Sequence, residues 1–200
     1  MSVTLHRDYA GAKLGMWLFL FTELLLFGGL FLLYAAYLAR YPQEFGAAGR
    51  EMQLAFGTVN TVILITSSLL AAMAVTAIQR NRQQAAFRLL VGTILCALVF
   101  LGNKYLEWSI EIGRGIYPGS ERLVAGPPGE SVFYSLYYLT AGLHGLHVLI
   151  GGFFLALVAV RVRMGTIHAG DFVLLENGAL YWHLVDLIWI FIFPLYYLIL

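Results

Sequence analysis

The sequence predicts an all-helical membrane bundle of five transmembrane spans, and three observations carry that prediction. Of the 200 residues, 60% are apolar and only 12% charged, a balance that water-soluble domains do not show. The apolar residues gather into five long blocks, roughly 14–39, 54–78, 85–108, 131–160 and 178–200. Each meets the ~20 residues that cross a bilayer as helix. The period-two alternation of a membrane barrel is absent, so helices are required. The whole chain, 1–200, reads as one transmembrane domain.

The elements follow in order. The polar start, 1–13, leads into a first block that is too long for a signal-peptide core and contains Glu23, so it is expected to be retained. Its Gly28 and Gly29, like Ala141, Gly142, Gly145, Gly151 and Gly152 of the fourth block, predict close helix packing. The connections 40–53, 79–84, 109–130 and 161–177 carry Pro, Gly or charge, and the long one, with Pro118, Pro127 and Pro128, is expected to cover other protein. Trp17, Trp108, Tyr117, Tyr181 and Trp182 lie toward block ends, where amphipathic rings favour the interface.

Charge and cysteine content exclude several classes. A formal net charge of +1 leaves no basic field for nucleic acid. The one cysteine, Cys96, has no thiol partner and reads as a small core residue. No internal repeat or matched pair of broken helices supports a secondary transporter. Arg7, Lys13, Arg80, Arg82, Arg88, Arg161 and Arg163 fall on one side of the membrane, against Arg40, Arg50, Arg114 and Arg122 on the other. The positive-inside rule then puts the N-terminus inside and the C-terminus outside.

A charged side chain at mid-bilayer costs about 2.5–3.5 kcal/mol on insertion scales, so each needs a partner or a purpose. Glu23 lies near the middle of the first span. His144 and His147 share a face of the fourth, His183 and Asp186 repeat that spacing in the fifth, and Glu176 is expected just before it. These groups are expected to face inward and satisfy one another across three helices, with Glu23 sharing a proton with His144 or His147. Two readings stay open: a buried network that fixes helix register, or a metal or haem site built from paired histidines. The bundle-metal pattern Glu-x-x-His is absent. Lys104 and Glu107 are expected to form an ion pair at the outer end of the third span, the lysine stem snorkelling outward, with Glu111 and Trp108 beside it.

Five strings, one per span, then resemble a known family. They are Lys13 to Glu23 (KLGMWLFLFTE), Asn60-Thr61 with Thr66-Ser67-Ser68, and Lys104-Tyr-Leu-Glu107-Trp108, followed by Thr140-Ala-Gly-Leu-His144-Gly-Leu-His147-Val and Tyr181-Trp-His183-Leu-Val-Asp186-Leu-Ile-Trp189. Together they resemble subunit III of cytochrome c oxidases and related quinol oxidases. The resemblance implies an all-helical subunit with no redox centre or cofactor of its own, docked on subunits I and II, and in some members beside a small subunit IV. Haem and copper belong to those partners, and the complex reduces oxygen to water and pumps protons.

By the same resemblance, Glu23 matches the family's carbodiimide-reactive glutamate, His144 and His147 the histidines that meet it, and Glu176, His183 and Asp186 the C-terminal motif. Arg163 and His168 look like the family's phospholipid headgroup residues. Many members have seven helices; this chain resembles a five-helix form, in which another polypeptide can supply the missing pair. The implied role is to stabilise the catalytic subunit and support proton uptake, in an energy-transducing membrane, the bacterial plasma membrane. The alternatives are a quinol oxidase subunit III, the related small subunit of nitric oxide reductases, and an independent proton or ion channel.

Overall fold

The computed structural model describes residues 9–198. Arg7, most of the polar start and the last two residues of the expected fifth span lie outside the described residues. Seven helices follow one another: α1 (Tyr9–Arg40), α2 (Pro42–Glu51), α3 (Leu54–Gln79), α4 (Gln83–Gly113), α5 (Glu121–Ala125), α6 (Pro128–Arg163) and α7 (Val173–Tyr197). Five of them, α1, α3, α4, α6 and α7, are long and apolar enough to cross a membrane. The shortest, α7 at 25 residues, is about 37 Å long and exceeds the ~30 Å hydrocarbon thickness.

Helices α3, α4, α6 and α7 form the core, each packing on two neighbours, and α1 lies along the seam between α6 and α7. Its buried residues are Leu20, Phe27 and Tyr34, one in every seven. That spacing gives a narrow coiled-coil-like edge rather than a broad face. The rest of α1 offers Leu14, Trp17, Leu18, Phe21, Leu25 and Leu32 outward, as a lipid-facing or partner-facing surface should.

Two connections are more ordered than the sequence reading expects. Residues 42–51 form α2, opened by Pro42 in the first turn, where a preset φ and a missing N–H cost nothing. It buries Phe45, Ala48 and Gly49 against the start of α6, where Phe45 meets Phe133 edge-on at 5.3 Å. The long connection contributes five further residues to α4 and holds α5, which Ser120 caps by accepting the Leu123 amide. Tyr138 donates to the Ile116 carbonyl at 2.8 Å, tying this segment to α6. It therefore covers this chain's own helix end, not only a partner.

Only part of the expected close packing by small residues is found within the chain. At Gly151 a Cβ would come within 2.9 Å of the Tyr181 ring, so that approach of α6 to α7 requires glycine. Added methyl groups at Gly28, Gly29 and Gly145 would meet nothing. Tyr181 and Trp182 are also not interfacial. Because α7 begins at Val173, they sit two turns inside it and are buried against α6 and α3.

Candidate functional site

Glu23 and His147 are brought together across α1 and α6. The His147 Nε2 lies 2.9 Å from Glu23 Oε2, both side chains nearly buried at 11% and 14% exposure. The opposite ring nitrogen, Nδ1, is 2.7 Å from the Leu143 carbonyl. A carbonyl oxygen only accepts, so Nδ1 carries hydrogen. The Nε2 contact then needs a second hydrogen, which sits either on an imidazolium or on the Glu23 carboxyl. In both cases the pair is neutral overall and holds one proton between its two partners. Phe27 stands edge-on to the imidazole at 5.3 Å, and Tyr181 donates to the His147 carbonyl.

His144 does not join them. Its ring is fully buried between Phe100 and Trp189, with centroids 5.4 and 5.3 Å away, and neither ring nitrogen has a hydrogen-bond partner. Three residues on a helix rotate the side chain by about 300°, enough to turn His144 into the core while His147 reaches α1. The 82° angle between the imidazole and Phe100 suits a weak contact from ring edge to aromatic face.

His183 and Asp186 turn to α3 instead of to Glu23. His183 Nδ1 is 2.6 Å from Ser68 Oγ; Asp186 Oδ2 is 3.3 Å from Ser67 Oγ. Ser67 is also 2.7 Å from the Leu64 carbonyl and accepts from Trp182 Nε1 at 3.0 Å. The serine has one hydrogen, and the shorter contact claims it for Leu64. The fourth helix of the polar network, α3, is the one that charge counting passes over, because serines cost little and draw no attention.

Glu176 sits in the first turn of α7 and pairs with Lys13 of α1 at 3.0 Å. Asn177 donates to the Ala12 carbonyl beside it. Arg163 lies over the Phe87 ring of α4 at 5.4 Å, while His168, in the loop after α6, accepts the Gly170 amide. The two expected headgroup residues thus make separate contacts. The expected inward cluster resolves into four separate arrangements: Glu23 with His147, His183 and Asp186 with two serines, Glu176 with Lys13, and His144 among aromatics. Among the described residues, no three His, Cys, Asp or Glu side chains come together as a metal-ion site.

The Lys104–Glu107 pair forms as expected at 2.8 Å, but Lys104 does not snorkel. Because α4 continues to Gly113, the pair lies more than a turn inside the helix, with Lys104 6% and Glu107 0% exposed. The ammonium donates to Glu107 Oε2, Tyr137 Oη and Tyr197 Oη at 2.8, 2.7 and 3.1 Å, using all three hydrogens. Both tyrosines in turn donate to Glu107 Oε1, at 3.0 and 2.5 Å. The rings of Trp108, Tyr137, Trp189 and Tyr197 surround the cation within 5.8 Å, close enough for cation–π attraction. Tyr137, Tyr197 and Trp189 complete the cage; Trp189 ends the fifth family-like string, whereas the two tyrosines carry no mark in the sequence, since tyrosine is ordinary in membrane spans.

With this geometry in view, comparison with known proteins places the chain. The cytochrome c oxidase subunit III family matches residues 5–199. Cytochrome c oxidase subunit 3 of Thermostichus vulcanus is 33% identical over 195 residues, covering 97% of this chain and 89% of that relative. Cytochrome bo(3) ubiquinol oxidase subunit 3 of Pseudomonas aeruginosa is 26% identical over 194 residues, 96% of this chain and 87% of that protein. The haem-copper oxidase subunit I+III of Aeropyrum pernix is 31% identical over 198 residues, covering 92% of this chain but 22% of that longer protein. A match running through every span assigns the chain to the cytochrome c oxidase subunit III family, as a haem–copper oxidase subunit.

Proposed function

We propose that this chain is the non-redox subunit III of a proton-pumping cytochrome c oxidase, stabilising the catalytic subunit and supporting proton uptake while oxygen is reduced to water. The observation that carries the reading is the family match over residues 5–199, which takes in all five spans. The chain itself holds no active site in this reading. Haem and copper lie in partner subunits I and II, with a small subunit IV as a further neighbour. The fused I+III protein of Aeropyrum pernix supports subunit I as the direct partner, because covalent fusion keeps two chains adjacent.

In the same reading the Glu23–His147 pair and the Lys104 cage are supporting elements, not redox groups. Arg163 and His168 contact a bound phospholipid, and the membrane is the bacterial plasma membrane. The N-terminus faces inside, in keeping with Lys13, Arg80, Arg82, Arg88, Arg161 and Arg163 gathering at one end of the bundle.

Affinity purification from the native membrane tests the proposal. Haem-bearing subunits should co-purify, and the complex should oxidise reduced cytochrome c. Removing the chain should shorten the number of turnovers before activity is lost. A chain that purifies without haem partners and conducts protons alone in liposomes would overturn the reading in favour of a channel. The likeness to the Pseudomonas aeruginosa protein supports quinol oxidase as the second reading; it gains if the complex oxidises ubiquinol and not cytochrome c.

A further inference from the structure

The turn between α3 and α4 carries two arginines, Arg80 and Arg82, that no side chain among the described residues pairs with. Arg80 closes α3 and Arg82 opens α4, with Asn81 between them at φ 56° reversing the chain. Among the described residues, neither guanidinium makes a hydrogen bond or an ion pair. No acidic residue lies in the first turn of α4, and no side chain caps it. Beneath the turn a recess of about 230 Å³ runs between the two helices, walled by Met73, Ala77, Ala85 and Leu89, with the arginines at its end. The small residues Ala77 and Ala85 keep the recess open next to the guanidiniums.

This end of the bundle is strongly basic. Among the described residues Lys13, Arg80, Arg82, Arg88, Arg161 and Arg163 outnumber Asp171 and Glu176, both of which have partners of their own. The opposite end has Arg40, Arg50, Arg114 and Arg122 balanced by Glu44, Glu51, Glu121 and Glu130. A site here that combines unpaired cations at the helix ends with a largely apolar slot about two helical turns deep is amphipathic along the membrane normal. A lone phosphate ion would satisfy the cations and leave the slot empty. A zwitterionic head would bring a second positive charge beside two guanidiniums.

We propose that the recess between α3 and α4 binds an anionic phospholipid, its phosphate on Arg80 and Arg82 and its first methylenes between Met73, Ala77, Ala85 and Leu89. The site is distinct from Arg163 and His168, which lie on the far side of the α4 start against Phe87 and in the loop after α6. Basic recesses between membrane helices at the cytoplasmic face are suited to such heads, and the uncapped amides of α4 reinforce the attraction.

The test uses the 200-residue chain with whatever subunits co-purify, placed in nanodiscs of mixed phosphatidylglycerol and phosphatidylcholine. Native mass spectrometry then reads the lipid retained on this chain. Each basic residue near the surface contributes roughly a fivefold preference, so the two arginines together should favour phosphatidylglycerol by about thirtyfold. The double variant Arg80→Gln/Arg82→Gln should lose that preference. Ala85→Phe, which fills the slot and keeps both charges, should lose the adduct as well. Retention unchanged in both variants would place the lipid elsewhere and overturn the proposal. Displacement of the adduct by inorganic phosphate would also overturn it, marking a free-anion site instead.

Discussion

The imidazole of His147 stands between two oxygens, the Leu143 carbonyl at 2.7 Å and Glu23 Oε2 at 2.9 Å. Because the first fixes a hydrogen on Nδ1, the second makes Glu23 and His147 joint owners of one proton. The pair is neutral in either arrangement, and this removes most of the penalty for placing a carboxylate at mid-span.

Glu23→Gln should therefore assemble normally, because its amide can donate to Nε2 of a neutral ring. Glu23→Ala strands that nitrogen, at a cost of about 1–3 kcal/mol, and should loosen α1 and shorten the active life of the oxidase. Proton release by oxidase vesicles over the first few turnovers should stay near normal in both. Loss of pumping in Glu23→Gln, with oxygen reduction still at its initial rate, would put the carboxyl on the pumping route.

His144 and His147 should part company on substitution. His147→Leu breaks the contact to α1 and should lower stability by about 1–3 kcal/mol. His144→Leu deletes two buried nitrogens that have no hydrogen-bond partner, so stability should be unchanged or raised. Thermal inactivation midpoints of the purified complex check the order, and a larger loss for His144→Leu would assign that ring a partner.

The caged ion pair predicts an asymmetry. Lys104→Met leaves Glu107 with two tyrosine hydroxyl donors, whereas Glu107→Leu leaves a buried ammonium with no hydrogen-bonded anion and only Glu111 acting on it from farther off. Removing one member of a buried pair costs about 3–5 kcal/mol, and Glu107→Leu should lie at the upper end. Retained subunit after graded detergent challenge measures it. Equal loss in the two variants would mean that the tyrosines alone hold Glu107 no better than they hold the lysine.

Gly151→Ala should disrupt α6 against α7, because the new methyl group meets the rings of Tyr181 and Trp182. Gly28→Ala and Gly145→Ala enter open space within this chain and should gain roughly 1 kcal/mol of helix propensity. If either instead weakens co-purification with haem-bearing subunits, that face carries the partner.

Orientation is open to cysteine labelling, after Cys96 has been replaced. Ser120 is a poor reporter because it is buried as the cap of α5, so Val124→Cys, 72% exposed, serves for the α4–α6 connection. It should react only from the outer side and Thr166→Cys only from the inner side. The reverse pattern would invert the bundle.

The spans were legible because lipid demands long apolar runs, and nothing else in the sequence competes with that signal. Pairings between spans were partly legible. Glu23 demanded a partner by its depth, and two histidines were on offer; only the rotation of α6 decides for His147. His183 and Asp186 were visible as charges, and Ser67 and Ser68 as part of the second family-like string, but nothing joined the two, since an uncharged serine does not demand a partner by its depth. Lys104 was misplaced because the apolar block ends at Trp108, whereas α4 continues to Gly113 once Tyr137 and Tyr197 shelter its charges. The helix α2 was hidden by its length, which is below what periodicity resolves.

The seam of Leu20, Phe27 and Tyr34 has a consequence for biogenesis. Apart from the contact of Tyr34 with Phe45 of the adjoining α2, the fastenings of α1 come from chain made much later: His147 is 124 residues beyond Glu23, and Glu176 is 163 residues beyond Lys13. At roughly 5–20 residues per second of synthesis, Glu23 waits about 6–25 s in the bilayer before its histidine has been made. During that interval the acid lacks its histidine and must hold its own proton or be shielded by whatever escorts nascent membrane helices. Early truncations should consequently leave α1 inserted but unclaimed, a substrate for membrane quality control rather than for assembly.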